Sequence, residues 1–154
     1  MMSKKAIKFM LAIGVSFLFA ATCIYAGTAV EDTFKMETKE YAKHTKGLVE
    51  FTHKQHVEKH KIACGTCHHD DKGKALELKA GDDVQKCVAC HKETGKAPEG
   101  EKLKKNEKIA KYHKEALHAN CIDCHKTSNK KAGDPKGKGP APTSCNDCHP
   151  KTKP

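Results

Sequence analysis

Tryptophan and arginine are both missing from this chain of 154 residues, and its aromatic residues are three Tyr and five Phe. With so few rings, the bulky filling of an ordinary protein interior is not available. Without Arg there is no planar fork to grip phosphates or base edges, and no basic stretch is interleaved with aromatics. Both absences argue against nucleic acid as a partner, despite a formal charge of +10. Hydrophobic residues make up 37% and charged residues 31%, close to the balance of a chain that stays unfolded unless something other than side chains fills its interior. Small domains meet that shortage with disulfides, metals or cofactors. The nine Cys and eleven His name the candidates here.

A long apolar run is also lacking. Phe9 to Ala21 is the one such stretch, 13 residues preceded by Lys4, Lys5 and Lys8, too short to span a bilayer. Residues 1–26 are read as a signal peptide cleaved near Ala26, which sends the chain to the periplasm; an uncleaved anchor is the weaker alternative. Cys23 leaves with the signal, and Thr22 before it is unsuited to a lipidation site. Loss of the three signal lysines takes the charge from +10 to +7. Residues 27–47 form a polar arm and 48–154 the functional domain.

That domain is punctuated by one repeating unit. It occurs as Cys64-Gly65-Thr66-Cys67-His68, Cys87-Val88-Ala89-Cys90-His91, Cys121-Ile122-Asp123-Cys124-His125 and Cys145-Asn146-Asp147-Cys148-His149. Composition alone predicts about 0.04 such pentapeptides in the chain, so four are not coincidence. In Cys-x-x-Cys-His the two thiols are spaced to add across the two vinyl groups of a haem, and the adjacent His reaches the iron from one face. Zinc sites pair two Cys-x-x-Cys half-sites per ion and need no His after every second Cys. A disulfide within Cys-x-x-Cys closes a very small loop and leaves the four histidines unexplained. The reading is four covalently bound haem c groups.

Four irons need four further ligands. Met36 is the one Met beyond the signal, whereas seven histidines lie outside the motifs' fifth positions: His44, His53, His56, His60, His69, His113 and His118. Bis-histidine ligation is therefore expected, with low reduction potentials and no open iron position for catalysis. His69 is bonded to its neighbour His68, so it cannot reach the opposite face of the same haem and must serve another or none. His53 and His56 are three apart, close enough for one helical turn to hold two haems. His44 and His60 are expected to be solvated.

Elsewhere, Glu101 to His118 is expected to form a helix, with Ile109, Tyr112 and Ala116 on one face. Thr127 to Thr143 is expected to be an irregular, exposed loop, and a short strand is expected around Leu48 to Phe51.

Taken together, the run Phe51-Thr52-His53-Lys54-Gln55-His56, the doubled histidine in Cys64-Gly65-Thr66-Cys67-His68-His69, the histidines before the third motif and the three later motifs resemble the class III cytochromes c, the tetrahaem cytochrome c3 family. The resemblance covers about residues 48–149. It implies a small, mostly α domain with much irregular structure wrapped around four haems. It also implies distal ligands: His53 for the haem of Cys64, Cys67 and His68, His69 for that of Cys87, Cys90 and His91, and His56 for that of Cys121, Cys124 and His125. The haem of Cys145, Cys148 and His149 takes a histidine from before the third motif; His113 and His118 both qualify, and His118 is favoured. The sequence departs from many members in having two-residue spacers in all four motifs.

The function so implied is electron transport, not enzymatic turnover, between a periplasmic hydrogenase or dehydrogenase and a membrane-bound redox complex in anaerobic respiration. A monomer is expected, with a filament or larger complex as the alternative. The lysines are expected to solvate the surface, pair with haem propionates or steer an acidic redox partner.

Overall fold

A computed structural model describes residues 31–151. The expected signal peptide, Cys23 and residues 152–154 lie outside them. Helices are few and short: α1 at Lys105–Lys111, α2 at His113–His118, α3 at Cys124–Lys131 and α4 at Cys145–Cys148. A π-helical turn at Ala119–Asp123 joins α2 to α3, so residues 113–131 form one continuous helical spine. Such widened turns recur at functional sites, and this one carries Cys121.

The helix expected over 101–118 is corrected in two ways. It starts only at Lys105, where the Glu107 carboxylate reaches back to accept the Lys104 backbone N–H at 2.7 Å, closing the first turn. It then breaks at Tyr112, whose backbone is extended (φ −98°, ψ 121°). The break is stabilised from outside: Glu93 donates to the Lys111 carbonyl at 3.2 Å, and His113 donates to the Glu93 carbonyl at 3.0 Å. A neighbouring chain segment thus takes over bonds that a straight helix would have made internally. Tyr112 and His113, at this junction, are both buried, whereas Ile109 and Ala116 are only half-buried.

The strand expected near 48–51 is the two-residue β2 at Glu50–Phe51, paired antiparallel with β1 at Phe34–Lys35. Phe34 faces Phe51 in register, their rings edge to face at 5.5 Å. The segment read as a separate polar arm is therefore tied to the domain. Its contacts continue with Thr94 Oγ1 donating to the Glu40 carbonyl at 3.2 Å and Tyr41 Oη bonded to His113 Nδ1 at 3.0 Å.

The loop expected over 127–143 is helical as far as Lys131, and it is not wholly exposed, since Asn129 and Gly137 are buried within it. An amide that satisfies several backbone groups can enter an interior that a charged side chain cannot. Of the described lysines, Lys108 is half-buried and the others are exposed, the solvating distribution expected of them.

Side chains make almost no core. Tyr112, His113 and Asn129 are the buried ones among the described residues. Cohesion comes instead from close backbone approaches, of which Gly47 is the tightest: a Cβ there would collide with the Pro150 carbonyl oxygen and stand 2.9 Å from its Cγ. Gly47→Ala should therefore destabilise the mature, matured protein by about 1–3 kcal/mol. Gly95→Ala, where a Cβ meets nothing within 4 Å, should be near neutral; denaturant titration of both variants checks the contrast.

Candidate haem-binding site

Each motif is one turn of helix. The backbone N–H of His68 donates to the Cys64 carbonyl at 2.9 Å, that of His91 to Cys87 at 2.9 Å and that of His149 to Cys145 at 2.8 Å. The third motif lies in the helical spine, across its π-helical turn and the start of α3. Residues i, i+3 and i+4 of such a turn share a face, so each motif presents two thiols and one imidazole to the same side. In α4 the turn is closed by Asp147, which accepts the Ser144 N–H at 3.0 Å. A hydrogen bond with the Ser144 side chain, and after it this backbone bond, hold the Asp147 carboxyl below its usual range.

The four motifs are gathered, not strung out. Burial, then the charge interactions of Cys67, Cys148 and Cys87, push the Cys121 thiol up to about 11. Cys67 is raised by burial first and by Cys124 next. Thiols from all four motifs thus lie within electrostatic reach around Cys121. All eight described cysteines are free; Cys64, Cys121 and Cys148 are half-buried and the others exposed.

Across from the motif histidines stand those from elsewhere in the chain. The rings of His69 and His91 have centroids 5.9 Å apart, those of His56 and His125 6.1 Å, and those of His118 and His149 6.2 Å. Two imidazoles on opposite faces of one ion, each with a metal–nitrogen bond of about 2 Å, have ring centroids about 6 Å apart. His53 lies near enough to His68 to depress its pKa, second to burial. Among the described residues no cluster of three or more His, Cys, Asp or Glu side chains is placed to share one ion.

Tautomers sort the same way. His56 Nδ1 lies 2.8 Å from the Thr52 carbonyl, His69 Nδ1 2.7 Å from that of Asp70, and His91 Nδ1 3.0 Å from that of Ala110. His125 Nδ1 is 2.6 Å from the Pro142 carbonyl and His149 Nδ1 2.7 Å from that of Gly47. A carbonyl only accepts, so Nδ1 carries the proton and Nε2 keeps the lone pair that a metal requires. Burial above all, with smaller electrostatic contributions from His53 on His68, His91 on His113 and Lys114 on His118, holds these three imidazoles below their usual value, favouring the neutral form. The donor set fits haem c with two axial imidazoles.

The two candidates before the third motif separate in space. His113 is buried against Tyr41, ring centroids 5.6 Å apart, while His118 is the one whose ring faces His149. His60 is exposed as expected; His44 is half-buried beside Tyr41, ring centroids 5.4 Å apart, a correction that follows from the packing of the 31–47 segment. Sequence reasoning passed over the acceptors Thr52, Ala110, Pro142 and Gly47, whose backbone carbonyls carry no residue-type signal.

The model for the Class III cytochrome C family matches residues 29–149. The chain belongs to that family. It is also 38% identical over 118 residues to "Cytochrome c3" of Maridesulfovibrio salexigens, covering 73% of this chain and 87% of the relative. The family consists of multihaem electron carriers that bind haem c. Its match includes most of the segment read as an added arm, as the contacts of Tyr41 and Gly47 lead one to expect. No helix among the described residues is long and apolar enough to cross a membrane.

With so small a side-chain core, the chain should not fold cooperatively before haem attachment. Precursor made in a host without c-type maturation should show a coil-like far-UV spectrum and no sigmoidal thermal transition. A cooperative transition in that material would show that side chains suffice.

Proposed function

We propose that this family member is an exported tetrahaem carrier, with haem c held at Cys64/Cys67, Cys87/Cys90, Cys121/Cys124 and Cys145/Cys148. Its irons are ligated by His68 with His53, His91 with His69, His125 with His56, and His149 with His118. The observation that carries the reading is the set of imidazole pairs at 5.9, 6.1 and 6.2 Å, each joining a motif histidine to a histidine from another part of the chain. Bound there, haem iron supplies reversible one-electron chemistry, at low potential when both axial ligands are histidine. These histidine pairs would hold each iron through two imidazoles, which would leave no iron position for substrate and make the chain a conductor, not an enzyme. The gathering of the four motifs around Cys121 supports electron hopping within one chain.

The expected setting is the periplasm, with the signal at residues 1–26 removed. The expected role is that of a monomeric shuttle from a hydrogenase or dehydrogenase to a membrane-bound redox complex in anaerobic respiration. The exposed lysines favour an acidic docking partner, and the rate of electron transfer to it should fall as salt rises from about 0.01 M to 0.15 M, where screening shortens to about 8 Å.

Intact mass and a pyridine haemochrome spectrum of the exported protein should give four covalent haems per chain; fewer would overturn the count. His118→Met should raise the midpoint potential of one haem and leave the other three unchanged. His113→Met should leave all four low-spin signals in place. A reversal of these two outcomes would move the fourth distal ligand to His113.

A further inference from the structure

The most highly organised feature that electron carriage leaves unexplained is the segment following α3. Asn129, near the end of that helix, is the most buried side chain of the described chain, 1% exposed, although it lies in a lysine-rich surface stretch. Its amide Nδ2 donates to the carbonyls of Gly137 at 3.1 Å and Ala141 at 2.9 Å, and its Oδ1 accepts the Ala141 N–H at 3.0 Å. On Ala141 it thus makes both bonds that a neighbouring strand would make.

The near end of the loop is equally fixed. Asp134 donates its N–H to the Asn129 carbonyl at 3.0 Å. Its carboxylate accepts from the N–H groups of Lys136 at 2.9 Å and Lys138 at 2.7 Å. Gly137 adopts φ +65°, a conformation that favours glycine, and a Cβ there would stand 3.2 Å from the Lys126 carbonyl oxygen. The residue after the clamped Ala141 is Pro142, and its carbonyl accepts the Nδ1–H of His125 at 2.6 Å.

We infer that Asn129 is a positioning residue for His125, fixing the loop so that the Pro142 carbonyl holds Nδ1–H and turns Nε2 toward the iron of the haem attached at Cys121 and Cys124. The inference rests on the proposed axial role of His125. Donation from Nδ1 to a carbonyl raises the basicity of Nε2 and favours the oxidised metal. Asn129 therefore lowers the potential of one haem out of four, acting through the loop that it fixes and not as a ligand.

The test uses the mature holoprotein with Asn129→Ala and Asn129→Asp. The second variant keeps the shape and the acceptor but loses both amide donations and sets a carboxylate against two carbonyls. It carries the test by itself if Asn129→Ala yields no folded protein. Redox titration with the haems resolved by NMR or EPR should show one haem shifted upward, by up to about tenfold in its one-electron equilibrium, which is about 59 mV. It should be the haem whose signals change in His56→Met, and the other three should stay at wild-type values. A fall in thermal stability with all four potentials unchanged, or a uniform shift of all four, overturns the positioning role while leaving the ligation intact. If His125→Met leaves every haem signal unaltered, the ligation reading itself fails, and the inference with it.

Discussion

On the proposed ligation, the constraint on which the rest of the structure depends is that imidazoles from separate parts of the chain stand about 6 Å apart, ring centre to ring centre. A contact of that kind cannot be made locally. His56 and His125 bring the first helical turn against the central spine, and His118 and His149 bring the spine against the last motif. His69 and His91 bind the first two motifs together. On the proposed ligation, these pairings would act as cross-links between segments that have almost no buried apolar side chains. Secondary structure can then be short and broken, because topology is set by which histidine faces which.

A second layer of fixation lies behind the first. An imidazole ring free to rotate or to change tautomer would present the wrong nitrogen half the time. Backbone carbonyls of Thr52, Asp70, Ala110, Pro142 and Gly47 prevent this for five of the rings. Several apparent irregularities of the fold exist where they deliver such a carbonyl. The break at Tyr112 lets the Glu93 segment lie beside the helix, bringing His91 to Ala110. The close approach at Gly47 seats the start of the chain on His149. Irregularity in this protein is largely the geometry of hydrogen-bond acceptors.

This division explains what was legible in the sequence. The motifs, the histidine stock and the turn bearing His53 and His56 are written in residue types with strong chemical preferences, and the rings of His56, His69 and His118 lie 6.1, 5.9 and 6.2 Å from those of His125, His91 and His149. Tyr112 is buried, as its place on the apolar face leads one to expect, but it lies at a break in the helix, because periodicity reflects the side chain and not the Glu93 backbone that replaces the helical bonds. Asn129 looked like loop because Asn, Lys, Gly and Pro are loop-forming types; its burial comes from three bonds to residues 8 and 12 positions away. The 31–47 segment carries no period at all. Its attachment through Tyr41 and Gly47 consists of one hydroxyl and one carbonyl, which no pattern of hydrophobicity announces.

Compactness of the motifs and poverty of the side-chain core are two aspects of one arrangement. Thiols of the other three motifs lie within electrostatic reach of Cys121, and few apolar side chains are buried near them. On the proposed occupancy, that space belongs to porphyrins, whose faces supply the apolar area that the sequence lacks. The same proximity suits electron hopping, since short gaps between redox centres are what a conductor requires. A larger side-chain core would have separated the centres. On that proposal the lack of tryptophan, the lysine-covered exterior and the expected dependence of folding on haem would follow from a single requirement, that four redox centres share one small volume.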